Sequence, residues 1–147
     1  MIDSKTAPYA AFVLRATLGI MFIAHGLLKF LVFTLPGTAQ FFASVGFPGW
    51  TAYPVAIAEV VAGVLLVAGI YSRYVATVMI PVLAGAAWVH LGNGWVFSSA
   101  NGGWEYPVFL IVVAAVVALL GDGAFAVKPT TPQVASGRGF TPAARGA

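Results

Sequence analysis

From Tyr9 to Gly121 the chain is a succession of long apolar runs, and its few ionisable side chains stand inside those runs or at their lips. A helix of about 20 apolar residues crosses the ~30 Å of hydrocarbon in a bilayer and satisfies its own backbone hydrogen bonds. Four such runs can be drawn, over about residues 9–32, 51–70, 73–91 and 104–121. The last two fit most tightly. Each holds only sixteen uncharged residues in a row, Tyr74 to Val89 and Tyr106 to Gly121, so they span only with His90 and Glu105 at the interface. Of 147 residues, 61% are hydrophobic and 7% charged, against about 25% charged in soluble domains.

The expected fold is an all-α membrane protein: a four-transmembrane-helix antiparallel bundle over residues 1–122, followed by a flexible cytoplasmic tail over 123–147. Tyr71 and Ser72 alone separate the second and third runs, which predicts a tight antiparallel hairpin. Between the first two runs, Pro36, Gly37, Gly46, Pro48 and Gly49 exclude a continuous helix but leave room for a short interfacial one from Thr38 to Val45, capped by Thr38. Lys5 precedes the first run, but Arg15 would interrupt a signal-peptide core, so a retained span is expected.

An even number of spans puts both termini on one side. Lys5, Arg15, Arg73, Lys128, Arg138 and Arg145 fall there against Lys29 opposite, so the positive-inside rule predicts cytoplasmic termini and a bacterial plasma (inner) membrane location. Trp50, Trp95, Trp104, Tyr53 and Tyr106 then gather at the outer boundary. The formal charge of +3 comes from scattered cations and is no nucleic-acid footprint. The absence of cysteine excludes disulfide exchange, thiolate nucleophiles and thiolate metal sites.

A charge in hydrocarbon costs roughly 2.5–3.5 kcal/mol on insertion scales, so Glu59, inside AYPVAIAEVVAGVLLVAGI, needs a partner, a proton or a cavity. Counting from the ends of their runs places His25 and Glu59 at one depth, about 10–12 Å below the outer edge. Lys29 lies one turn from His25 on the same face, and His90, Asn93 and Glu105 belong to the same outer half. The candidate ligand-binding or proton-handling residues are therefore His25, Lys29, Glu59, His90, Asn93 and Glu105, with Arg15 and Tyr106 secondary; no catalytic residue is assigned.

Plainer readings stand beside these. Glu59 with His25 or Lys29 could be an interhelical pair that only fixes packing, His90 and Glu105 could be solvated boundary groups, and Arg15 could snorkel to the cytoplasmic edge. His25 and His90 differ in depth by about 10 Å, which argues against haem. No HxxxH or ExxH pair marks a metal site, and neither a metal nor an iron–sulfur cluster is expected.

The segments LRATLGIMFIAHGLLKF, GTAQFFASVGFPGW, AEVVAGVLLVAGIYSR and HLGNGWVFSSANGGWEYP, in that order, resemble the DoxX family of small bacterial membrane proteins from about Phe12 to Gly121. The resemblance implies a four-helix membrane bundle working as a subunit or partner of a respiratory or redox system. Carried over by position, it marks Arg15, His25, Gly26, Lys29, Glu59, Gly63, Arg73, His90, Asn93, Gly94, Gly103, Glu105 and Tyr106. Three functions remain in view: a quinone-interacting accessory subunit with a redox protein partner, a small proton-coupled transporter, or a ligand-free assembly subunit. Lipid is the common partner, and a homo-oligomer is compatible with each.

Overall fold

The structure, a computed structural model, describes residues 3–130. It is all-helical: α1 (Ala7–Leu31), α2 (Leu35–Ser44), a 3-10 turn (Gly49–Thr51) leading into α3 (Ala52–Ala68), α4 (Ser72–His90), a second 3-10 turn (Leu91–Asn93) and α5 (Glu105–Leu120). Among the described residues there is no strand, only an isolated parallel bridge between Ile70 and Lys128. Three segments, Ala7–Leu31, Gly49–Ala68 and Ser72–Asn93, are long and apolar enough to cross a membrane. The fourth expected span is shorter, since α5 has 16 residues and rises about 24 Å.

The helix ends follow local chemistry. Pro8 starts α1 where its missing N–H costs nothing. Gly69, at φ 70°, ends α3 in the left-handed conformation that lets its N–H and that of Ile70 return to the Leu66 and Leu65 carbonyls. The short interfacial helix begins earlier than the sequence suggests. Its cap is Thr34, whose Oγ1 accepts from Gly37 N–H at 3.2 Å, while Thr38 donates its own hydroxyl back to the Thr34 carbonyl.

α3 and α4 are joined through Ile70 and Tyr71 and do pack together, but the broad interfaces are α1 with α3 and α4 with α5. α1 and α3 run in opposite senses, as Arg15 meets Leu66, Gly19 meets Gly63, and Lys29 meets Glu59. Their backbones nearly touch: a Cβ on Gly63 would lie 2.6 Å from the Gly19 carbonyl oxygen, and one on Gly26 2.6 Å from Val60 Cγ2. Small residues permit that approach, which in lipid supplies the van der Waals contact that drives association. The core gathers Leu18, Phe22, Leu66, Met79, Leu83, Leu110 and Val117, whereas Ile20, Val78 and Leu119 are exposed. Apolar faces turned outward on α1, α4 and α5 with Arg15, Glu59 and Asp122 buried inside suit a lipid surround.

Arg15 does not snorkel. It is fully buried, and its guanidinium donates to four carbonyl oxygens: Asp122 at 2.5 Å, Leu66 at 2.6 Å, Val67 at 2.8 Å and Ala124 at 2.9 Å. Two of these belong to the last turn of α3, where carbonyls lack helical partners and the dipole favours a cation. The sequence count misses this because the acceptors come from a segment expected to be free.

Packing therefore continues past Asp122. Ala124 N–H bonds to the Pro8 carbonyl, Val127 N–H to that of Ala68, and Lys128 N–H to that of Gly69, at 2.8–3.1 Å. The Lys128 ammonium also lies 4.9 Å from the Tyr71 ring centre. Tyr71 itself sits at φ 49°, a strained setting for a side-chain-bearing residue, held by its N–H bond to the Lys128 carbonyl. The rest of the expected tail, 131–147, lies outside the described residues. The Asp122 carboxylate ties this arrangement together, accepting from Ser72 N–H at 2.8 Å and Thr130 N–H at 2.7 Å. Burial alone would raise its pKa, but the hydrogen bonds from Thr130 and Ser72 outweigh that and hold it below the ordinary carboxylate value.

Candidate functional site

Helical spacing puts Met21, His25 and Lys29 on one face of α1, and Val55 and Glu59 on the facing side of α3. Because the two helices run oppositely, the faces meet. Lys29 Nζ donates to Glu59 Oε2 at 2.6 Å in a pair with little solvent exposure. This ion pair forms part of the wall of a cavity of about 460 Å³, closed by α4 from Pro81 to His90, by Tyr106 and Leu110 of α5, and by Phe41, Phe42 and Phe47 in and after α2.

Both histidines are oriented through Nδ1. His25 Nδ1 lies 2.8 Å from the Met21 carbonyl oxygen; since a carbonyl only accepts, Nδ1 carries a hydrogen and Nε2 is left free of that contact. His90 Nδ1 likewise lies 3.1 Å from the Asn101 and Gly102 carbonyl oxygens. The His25 ring stacks on Tyr106, with centroids 5.9 Å apart and planes 25° from parallel. The Tyr106 hydroxyl is buried and has no hydrogen-bond partner among the described residues. A buried hydroxyl left so costs about 1–3 kcal/mol, which an acceptor reaching it would recover.

The candidates separate into three groups. His25, Lys29, Glu59, His90 and Tyr106 line one cavity. Asn93 and Glu105 stand outside its described wall and organise the loop over 94–104. Asn93 donates to the Asn101 and Gly102 carbonyls at 3.1 and 2.9 Å, and Glu105 Oε1 accepts from Phe97 N–H at 2.7 Å. Trp95 and Trp104 meet edge to face within that loop, 4.4 Å between centroids. Arg15 lies ten residues along α1 from His25, in its cage of carbonyls.

Sequence reasoning overlooks the apolar part of the wall. Phe41, Phe42 and Phe47 are visible as a Phe-rich interfacial stretch, but only the fold shows that they face the cavity; Met21, Val55 and Val89 carry no signal beyond helical phase. Among the described residues no three His, Asp or Glu side chains gather as a metal ion would require.

The DoxX family model matches residues 10–92. The chain is also 33% identical over 126 residues to the protein named "Putative oxidoreductase CatD" of Bacillus subtilis (strain 168), covering 86% of this chain and 90% of that one. This chain belongs to the DoxX family. The DoxX match runs from α1 to just past α4, taking in His25, Lys29, Glu59 and His90 and stopping before Asn93, Glu105 and Tyr106. No solved structure matches this DoxX-family chain.

Proposed function

We propose that this DoxX-family protein is a quinone-interacting accessory subunit of a membrane redox system, holding a quinone headgroup in the cavity between α1, α3, α4 and α5. One observation carries the reading: Tyr106, whose buried hydroxyl is unpartnered among the described residues, and the His25 ring stacked on it share a cavity wall with the Lys29–Glu59 pair. The residues fit the group. At about 460 Å³ the cavity lies within the roughly 300–1,000 Å³ of small-molecule sites. Its mostly apolar wall with a few polar groups suits a flat ring with oxygens at its edges.

When bound, a quinone supplies the paired uptake and release of electrons and protons. Tyr106 donates a hydrogen bond to a headgroup oxygen. His25, held by Met21 through Nδ1, offers Nε2 to a hydroxyl proton, and Glu59 offers a carboxylate whose charge Lys29 balances. Phe41, Phe42 and Phe47 exclude water from the ring. Electrons come from or pass to a redox partner protein. The oxidoreductase name of the Bacillus subtilis relative supports the same class of chemistry. In this reading α5 completes a four-helix antiparallel bundle in the bacterial plasma membrane, with Lys5, Arg15, Arg73 and Lys128 toward the cytoplasm.

The test is a thermal-unfolding titration of the protein in lipid nanodiscs with a tailless 1,4-benzoquinone. A rise in Tm is expected, and Tyr106→Phe should abolish it while leaving the ligand-free Tm unchanged or higher, since a buried hydroxyl without a partner is removed. No rise, with the protein alone or with its co-purified partner, refutes the proposal. Substrate counterflow into liposomes that Glu59→Gln abolishes would favour the transporter instead.

A further inference from the structure

A second apolar hollow, of about 700 Å³, runs between α1 and α5. α1 contributes Tyr9, Val13 and Thr17 to it, and α5 contributes Phe109 and Val113. It adjoins the headgroup cavity, since Met21, Tyr106 and Leu110 line both. From Thr6 to Met21 it follows about 22 Å of α1, most of a bilayer's hydrocarbon depth. The helices bordering it pack more lightly on each other than α1 does on α3 or α4 on α5. That opening, and the exposure of Val13 and Thr17 along it, leave the groove reachable from lipid.

We infer that the α1–α5 groove seats the long apolar tail of the ligand whose headgroup occupies the cavity, with Met21, Tyr106 and Leu110 forming the passage between the two. The inference rests on the quinone reading and specifies it: the ligand is a membrane-borne, tailed quinone. Tyr106 then has two duties, its hydroxyl toward the headgroup and its ring edge beside the tail. Its side chain is the one polar group at the junction, so it sets how far the ring enters. Phe41, Phe42 and Phe47 line the opposite side of the headgroup cavity, away from the α1–α5 groove.

A tail gains little free energy by leaving lipid for this groove, because lipid chains are as apolar as the groove wall. The groove therefore orients the ligand more than it tightens it, and the decisive measurement is position. The probe is a 1,4-benzoquinone bearing a saturated chain with a diazirine midway along it, photolysed with the protein in phosphatidylethanolamine–phosphatidylglycerol nanodiscs. Labelling competed by excess unlabelled compound is expected on the segments around Val13–Thr17 and Phe109–Val113. Val13→Trp and Thr17→Trp, at exposed positions that leave the core intact, should remove that labelling while tailless benzoquinone still raises Tm.

Competed labelling at Phe41, Phe42, Phe47 or Trp88 would show the tail leaving by the other mouth; this overturns the groove assignment and leaves the headgroup site standing. Labelling of the groove that unlabelled quinone does not compete would identify ordinary lipid chains as its occupants and overturn it as well. No competed labelling together with no Tm response to tailless benzoquinone would sink both readings.

Discussion

Replacing Arg15 by Met tests whether a buried guanidinium or the apolar interface holds the end of α3 to the segment after α5. Four carbonyl oxygens lose a donor. Leu66 keeps the N–H of Gly69 at 3.2 Å, but Val67, Asp122 and Ala124 lose the guanidinium and have no other side-chain donor among the described residues. At about 1 kcal/mol for each stranded acceptor, the low end of the range and fitting for a membrane interior, the cost is about 3 kcal/mol. That is a large share of a typical folding stability of about 5–15 kcal/mol. Arg15→Lys should fall between the two, since a single ammonium keeps the charge but cannot reach acceptors spread across the guanidinium fork. Reversible unfolding in mixed micelles reads the stability. Amide hydrogen exchange reads the place, because Ala124, Val127 and Lys128 N–H should lose protection first as the segment detaches from Pro8, Ala68 and Gly69. If Arg15→Met leaves both the unfolding midpoint and those amides unchanged, the side chain does not carry the structure here, and the argument from buried acceptors fails.

Asp122 gives this end of the protein an acid limit. Its folded pKa lies below the ordinary value, so its stabilisation is complete above about pH 4 and is lost as pH falls through the folded value; stability against pH should drop there and flatten in Asp122→Asn. Glu59→Gln leaves the Lys29 ammonium poorly partnered and should lower the unfolding midpoint, while Lys29→Met with Glu59→Gln recovers part of the loss. A double-mutant cycle in micelles measures that coupling, and strictly additive losses would refute it. Gly63→Ala places a Cβ against the Gly19 carbonyl and the Ile23 side chain, so α1 and α3 must part at a cost of about 1–3 kcal/mol, seen as a lower thermal midpoint.

Much of this could be read in the chain because apolar run length and punctuation act locally. The hydrophobic stretches become α1, α3, α4 and α5, and His25 and Glu59, expected at one level from rise per residue, line the same cavity. Helix pairing is less legible. Chain order favours α3 with α4, but which helices approach most closely depends on where small residues face one another, and Gly19 with Gly63 wins for α1 and α3. Arg15 is misread for a similar reason. Its partners are backbone carbonyls, which every residue possesses, so no composition signal marks the segment after Asp122 as their source. Asn93 and Glu105 do share the expected region with the histidines, yet sequence proximity cannot tell a group that lines a cavity from one that braces the loop beside it.

The two polar clusters differ in a way that separates architecture from chemistry. At one end of α1, Arg15 and Asp122 spend their hydrogen-bonding capacity on fixed backbone groups, and glycines pack so closely there that a Cβ on Gly69 would meet the Arg15 guanidinium at 2.8 Å. Those contacts are structural, and loss of the Arg15 or Asp122 side chain should register as stability. Further along α1, His25 is fixed by one nitrogen only, the Tyr106 hydroxyl has no partner among the described residues, and both border a cavity sized for a small molecule. Capacity left unspent in a buried place costs free energy, as it also does for the Ser72 and Thr130 hydroxyls beside Asp122, so what distinguishes this cluster is the larger cavity that it borders. Arg15 commits its guanidinium to four backbone carbonyls, whereas His25 and Tyr106 line that cavity with no such commitment, which makes theirs the better place to look for binding. Substitutions of Arg15 or Asp122 should accordingly change stability without ligand response, and Tyr106→Phe should change ligand response with little loss of stability.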